Sequence, residues 1–218
     1  MGLMCYEKVY LCTSIPIKSF IMDKKSLSLH DEQFLLKRFF KGDDKAFAFI
    51  YDRYSNELMA YGMGWGIERE TLKDAIQDVF CKLYFNRKSF EEAGNLKFYL
   101  IRSLKNRILD IQKSRVDTVD IANFDFCITP TVLDHLIADE ERIAIERQIQ
   151  SYLNILTDRQ REAVYLRFIE EMEYEHIAEI LDMTAPAVRK LVHRAIARIR
   201  NEDLPALLLL YISLSQVS

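Results

Sequence analysis

Five cations, Arg189, Lys190, Arg194, Arg198 and Arg200, stand between Thr184 and Arg200 with no carboxylate among them. Side chains of that kind at helical spacing can neutralise the phosphates of a nucleic acid. The stretch before them is acidic: Asp158, Glu162, Glu170, Glu171, Glu173, Glu175, Glu179 and Asp182 outnumber Arg159, Arg161 and Arg167. A solvated helix whose late cations complement its macrodipole is the other reading, and charge alone divides the two evenly. A second cationic stretch, residues 96–115, carries Lys97, Arg102, Lys105, Arg107, Lys113 and Arg115 against the single acid Asp110. Phe85, Phe90, Phe98 and Tyr99 lie at or just before it. Cations interleaved with aromatics suit single-stranded DNA, because rings stack on unpaired bases while cations hold phosphate. Catalysis finds no matching pattern. There is no Gly-rich phosphate loop, nucleophile elbow or HExxH, and His30, His135, His176 and His193 are scattered, as polar surface residues are. Cys5, Cys12, Cys81 and Cys127 have neither CxxC spacing nor a nearby His, so they read as reduced thiols of a cytoplasmic protein and not as a disulfide framework or zinc site. No enzyme activity, metal or cofactor is expected.

The elements that must carry these side chains are helices. The chain has 218 residues, half of them apolar, with only six Gly and four Pro, and its apolar runs follow a 3.6 period with no sustained alternation. The expectation is an all-α chain of two small helical domains, since this length can bury one or two cores. Towards the C-terminus three helical runs follow one another: Ala163, Val164, Leu166 and Phe168; Ile177, Ile180 and Leu181; Val188, Leu191, Val192, Ala195 and Ile199. Thr157 with Gln160 forms a capping box opening the first run, and Thr184 stands where an N-cap would open the third, with Pro186 tolerated in its first turn. Only Asp182 and Met183 separate the second run from the third. Two short helices joined by so tight a turn, braced by a helix in front, make a helix-turn-helix whose second helix enters the DNA major groove.

Four helical runs precede it. The first is marked by Phe34, Leu35, Leu36, Phe39 and Phe40 and is broken by Gly42 and Asp43. The second carries an aromatic stripe, Phe47, Tyr51, Tyr54 and Tyr61, read as core, and ends in Gly62, Gly64 and Gly66 around the only tryptophan, Trp65. The third covers Thr71 to Asn86, with Leu72, Ala75, Ile76, Val79, Phe80 and Leu83 inward and Asp74, Gln77, Asp78 and Tyr84 facing outward or sideways. The fourth is the cationic run 96–115. Residues 116–139 hold five Asp, no Lys or Arg, and Pro130, which reads as an acidic linker; Ile143, Ile149, Leu153 and Ile155 mark one more helix after it. Residues 1–29 form an N-terminal extension whose apolar stretch is too interrupted for a signal peptide, and translation is expected to start at Met22. The tail, 204–218, is apolar from Ala206 to Leu214, far short of the roughly 20 residues a membrane span needs. No membrane insertion is expected.

Residues Leu156, Arg159, Arg161, Glu162, Tyr174, Glu175, Ile177, Ala178, Glu179, Leu181, Val188, Arg189, His193, Arg194, Ala195 and Arg198 resemble region 4 of the sigma-70 family of bacterial transcription factors, in its extracytoplasmic-function group. One position departs: the family usually has Gly where this chain has Asp182, a turn position that often takes positive φ, which Asp tolerates better than most residues. Asp74 to Tyr84, DAIQDVFCKLY, is similar to the family's region 2.2, in which this helix docks on a coiled coil of core RNA polymerase. Asp74, Gln77, Asp78 and Phe80 match that motif, and the resemblance extends the contact to Tyr84. Acids and an amide beside an exposed aromatic would suit a basic partner. The stretch LKFYLIRSLKNRILDIQKS resembles regions 2.3 and 2.4, which capture the melted −10 element of the promoter. Phe98, Leu100 and Ile101 can equally be core, so the charged and loop positions Arg87, Lys88, Lys97, Arg102, Lys105, Asn106 and Arg107 are the expected −10 contacts. Thr184, Ala187, Arg189, Lys190, His193 and Arg194 are the expected −35 contacts.

The resemblance implies a sigma factor built from a region 2-like domain over 30–115, the linker over 116–139 and a region 4-like domain over 140–203. Such a protein binds core RNA polymerase and promoter DNA and is restrained by an anti-sigma factor. Two alternatives remain: a freestanding helix-turn-helix regulator acting without polymerase, and a helical adaptor that binds only protein. A formal charge of −3 and a pI near 5.9 argue against a freestanding nonspecific DNA binder, so another protein would supply the rest of the positive field.

Overall fold

A computed structural model describes residues 29–87, 95–115, 126–127 and 153–200. The N-terminal extension with its expected start at Met22, Lys88 and Phe90, nearly all of the acidic linker, Ile143 and Ile149, and the apolar tail lie outside the described residues. The described secondary structure is helical throughout. We label α1 Leu29–Phe40, α2 Asp44–Met63, α3 Arg69–Phe85, α4 Leu96–Arg115, α5 Asp158–Val164, α6 Tyr174–Ile180 and α7 Ala185–Arg200, with a π-helical turn, Tyr165–Ile169, following α5. None of the described helices is long and apolar enough to cross a membrane. The chain divides into two compact units. The first holds α1, α2 as far as Tyr61, α3 and α4 as far as Asp110; the second holds the Gly62–Ile67 loop and the described residues from Ile111 onward.

In the first unit the break expected at Gly42 and Asp43 is a C-cap followed at once by an N-cap. Gly42 has φ +92°, a conformation open to glycine, and the Asp43 amide donates back to the Arg38 carbonyl at 3.1 Å. Asp43 Oδ1 then accepts from the amides of Lys45 and Ala46, at 2.9 and 3.4 Å, satisfying two of the donors a helix start leaves without partners. Burial opposes ionisation of the Asp43 carboxyl, but the hydrogen bond from Arg38, the two amides and the Arg38 charge outweigh it and hold the group below its ordinary pKa. Phe47, Tyr54 and Tyr61 of the aromatic stripe of α2 are core, as its period requires, while Tyr51 is half-buried with its ring 4.6 Å from Phe80. Phe47, Ile50, Tyr54, Leu58 and Tyr61 are buried together with Leu72, Ile76, Val79, Phe80 and Leu83 of α3 and Leu96, Leu100, Leu104 and Ile108 of α4. The Phe47 ring stacks on Phe39 at 5.6 Å and meets Phe80 edge-on at 6.3 Å. Leu100 and Ile101 belong to this core, which settles one side of the ambiguity on α4.

Cys81 corrects the expectation of four reduced thiols. It is disulfide-bonded, while Cys127 is free and exposed. Absence of CxxC spacing excludes a local redox or zinc motif, but it says nothing about a pairing between cysteines distant in sequence.

In the second unit Arg161 of α5 is the organising side chain. It is only 7% exposed, yet its donors are met: Nε by the Leu153 carbonyl at 3.0 Å, Nη2 by that of Leu156 at 3.1 Å, and Nη1 by the Phe126 carbonyl and by Asp158 Oδ1 at 3.3 Å. Phe126 is buried to 1%, its ring against Trp65 at 5.7 Å and Tyr165 at 5.6 Å. The Cys127 amide donates to the Gly64 carbonyl at 2.7 Å. Gly64 must be glycine here, since a Cβ would stand 2.7 Å from the Phe126 ring and 2.9 Å from the Cys127 carbonyl.

The capping box at Thr157 is present in both directions: the Gln160 amide donates to Thr157 Oγ1 and the Thr157 amide to Gln160 Oε1. The chain then widens into the π-helical turn, closed by Tyr165 Oη donating to the buried Glu170 at 2.9 Å and by Glu171 at φ 55°. The sequence gives no periodic signal for that turn. Between α6 and α7, Asp182 takes φ 51°, the left-handed value expected at the position where the family has Gly, and the Met183 amide reaches back to the Ala178 carbonyl at 2.9 Å. That bond is the outer one of a Schellman C-cap, so the turn survives without its glycine.

Candidate nucleic-acid interface

Helix α7 buries Val188, Leu191, Val192, Ala195 and Ile199, the apolar face its period predicts. The opposite face exposes Arg189, Lys190, His193 and Arg194, with Thr184 exposed before its first turn and Ala187 half-buried beside it. All six expected −35 residues are therefore brought to one end and one side of the helix. Thr184 occupies the N-cap position, its carbonyl accepting from the amides of Ala187 and Val188 at 2.9 and 3.0 Å. Arg189 is held from α6. Its Nη2 donates to Glu175 Oε1 at 3.1 Å and its guanidinium lies 5.2 Å from the centre of the Tyr174 ring. The same ring takes the Arg167 guanidinium at 4.7 Å, and Arg167 Nη1 is fixed by the Met172 carbonyl at 2.8 Å.

The expected −10 residues separate into two groups. Arg102 and Asn106 are exposed on α4 and Lys105 is half-buried between them; the Arg102 guanidinium lies 5.6 Å from the Phe98 ring centre. Lys97 and Arg107, by contrast, are engaged within the first unit. Lys97 Nζ is 3.5 Å from Glu57 Oε2, and Arg107 places Nη2 3.0 Å and Nε 3.1 Å from Asp78 Oδ2. Arg87 is half-buried, its Nη1 donating to the Tyr84 carbonyl at 3.3 Å and its guanidinium 4.9 Å from the Tyr84 ring centre. Lys88 is not among the described residues.

Of the expected polymerase contacts on α3, Asp74 is exposed and Gln77 and Asp78 are half-buried. Tyr84 is half-buried, its hydroxyl donating to Asp44 Oδ1 at 2.9 Å and its ring 5.0 Å from Phe47. Phe80 is 0% exposed, 4.6 Å from the Tyr51 ring. It cannot be the exposed aromatic beside the acids; the turn of α3 that brings Asp78 outward carries Phe80 into the core. Sequence reasoning grouped Phe85 with the aromatics of the cationic run and not with this face; it is 59% exposed. It follows Asp74 and Asp78 at i+11 and i+7, spacings that return to the same helix face, and that register was the signal available in the sequence.

Comparisons with known proteins agree with this geometry. The profile described as Sigma-70 region 2 matches residues 50–116 and that described as Sigma-70, region 4 matches residues 146–199, together more than half of the chain. The ECF RNA polymerase sigma-E factor of Haemophilus influenzae is 28% identical over 182 residues, which is 80% of this chain and 96% of that protein. Two solved structures share the fold. CnrH, in complex with the cytosolic domain of CnrY, matches with a TM-score of 0.53 at 19% identity, over 79% of this chain and 99% of that one. The sigma factor RpoE of Bartonella quintana, in complex with the anti-sigma factor NepR, matches at 0.51 and 23% identity, over 72% and 96%. With both regions matched in order and the recognition helix exposing its cations, the chain belongs to the sigma-70 family, in its extracytoplasmic-function group, and is a transcription initiation factor, not an enzyme.

Proposed function

We propose that this initiation factor docks on core RNA polymerase through one face of α3, captures the melted −10 strand on α4 and reads the −35 element with α7. The observation that carries this reading is the cationic, carboxylate-free outer face of α7, opposite a fully apolar buried one. Asp74 and Gln77 would meet basic groups of the polymerase, joined by Asp78 only where it releases Arg107, with Phe85 in place of Phe80 as the apolar anchor, since interfaces centre on a desolvated aromatic within a polar rim. Arg102, Lys105 and Asn106 would face the single strand, while Lys97 and Arg107 reach it only by leaving Glu57 and Asp78. Lys88 stays a proposed contact on its sequence position alone, and Arg87 and Tyr84 act through local packing. We take 30–115, 116–139 and 140–203 as the functional segments, supported by the two matched spans. The protein would act in the cytoplasm, where its polymerase and promoters are. A structural relative was solved with an anti-sigma factor, which supports a partner of that kind here.

Net charge supplies the test. The chain is acidic overall and its two carboxylate-poor cationic stretches are separate, so each binds weakly until a scaffold fixes both at once. The purified protein should give little promoter binding at physiological salt. With core polymerase it should protect two separated elements and expose unpaired thymines near the start site to permanganate. Tight duplex binding by the protein alone, with no effect on initiation when core is added, would refute the proposal.

A further inference from the structure

Among the described residues, Arg189 differs from the other exposed cations of α7 in being fixed by a neighbouring helix. Glu175 takes one N–H of its Nη2 at 3.1 Å, and the Tyr174 ring lies 5.2 Å from the guanidinium. Tyr174 is itself steadied by Arg167, 4.7 Å from the ring and tied to the Met172 carbonyl at 2.8 Å. Arg189 and Glu175 are each 61% exposed along their side chains. An exposed pair of this kind adds little to stability, and a carboxylate on a DNA-facing surface repels phosphate. Its presence is a cost to nonspecific affinity that a purely phosphate-binding helix would not carry. A guanidinium has five N–H donors in a planar fork. Glu175 occupies one and leaves enough to span the two acceptors, N7 and O6, that guanine shows in the major groove.

We propose that Tyr174 and Glu175 are positioning residues that preset Arg189 as a guanine reader, so that α6 sets part of the specificity of α7. The proposal rests on α7 being the −35 helix. A free arginine gives up rotamer freedom when it grips a base edge, and one already oriented gives up less. The buttress therefore acts on discrimination at one base pair, not on overall affinity.

The test selects preferred sequences from duplexes randomised over the upstream element, using core polymerase carrying the full chain. Arg189→Ala first identifies the base pair that Arg189 reads. Glu175→Ala and Tyr174→Leu should each relax preference at that same base pair by roughly three- to tenfold, with affinity for non-preferred duplexes unchanged or raised. Tyr174→Phe, which keeps the ring, should behave as the parent. Four results would overturn the proposal: uniform weakening at all sequences, which marks a merely structural role; relaxation at a different base pair, which makes Glu175 a direct reader; a parent-like profile for both α6 variants; or loss of preference in Tyr174→Phe. In each of these Arg189→Ala still alters the profile and the −35 assignment stands. If Arg189→Ala itself changes nothing, the proposal and the role of Arg189 in the −35 reading fall together.

Discussion

Replacing Phe80 and Phe85 separately by alanine should give opposite phenotypes. Phe80 is 0% exposed and packed against Phe47 and Tyr51, and truncation of a buried phenylalanine costs about 3–5 kcal/mol. Set against a total stability of about 5–15 kcal/mol, that removes much of the folding margin of the first unit. Phe85 is 59% exposed, so its truncation should change stability by no more than about 0.5 kcal/mol. Its contribution would come at the polymerase. A phenylalanine side chain offers on the order of 200 Å², and covering the exposed part at about 25 cal/mol per Å² gives at most about 3 kcal/mol. Incomplete burial brings the expectation to about 1–2 kcal/mol, or roughly a five- to thirtyfold rise in Kd. Titrating core polymerase into labelled protein, with a thermal melt of each variant, separates the two effects. Phe85→Ala should melt as the parent does and bind more weakly, whereas Phe80→Ala should melt earlier. A folded Phe85→Ala variant with parental affinity would remove the ring from the docking face. A Phe80→Ala variant that melts normally would contradict the burial argument itself.

Asp43→Ala should cost about 1 kcal/mol at neutral pH through loss of the cap on α2. Because the folded-state pKa of Asp43 is lowered, its contribution is present above the unfolded value and lost as pH falls through the folded one; melts of the two proteins should converge below about pH 4. Asp182→Gly should be neutral or stabilising, since it relieves the left-handed backbone at φ 51°, whereas Asp182→Val should lose about 1–2 kcal/mol by chemical denaturation. Parental stability in the valine variant would mean that the turn adjusts at no cost. Phe126→Ala should red-shift the emission of Trp65, the only tryptophan, whose ring lies 5.7 Å from Phe126; unchanged emission would argue against that contact in solution.

Local rules carried the sequence reading far. Helix period placed α1 to α4, α6 and α7, and capping chemistry placed Thr157 with Gln160. All of these depend on residues within a turn or two of one another. What escaped depends on distance along the chain. Asp78 pairs with Arg107, 29 residues away, and Lys97 with Glu57, 40 residues away, so charge counting treated as available three groups, Asp78, Lys97 and Arg107, that are already engaged. The disulfide at Cys81 escaped in the same way, being invisible to spacing rules. Phe80 failed differently. It was read both as an inward residue of the helical period and as part of a docking motif, and the structure keeps only the first.

The guanidinium of Arg161 has a consequence for what the linker is free to become. It grips residues 126, 153 and 156 by their carbonyl oxygens, and the Cys127 amide meets Gly64 through another carbonyl. Every one of these groups is main chain, common to all residues. Such a grip recognises the course of the chain, and residue identity enters here through the Phe126 ring, buried against Trp65 and Tyr165. Substitutions at Cys127 should leave the path intact, whereas a side chain at Gly64, or a lysine with no planar fork at Arg161, would lose it while leaving every linker residue unchanged.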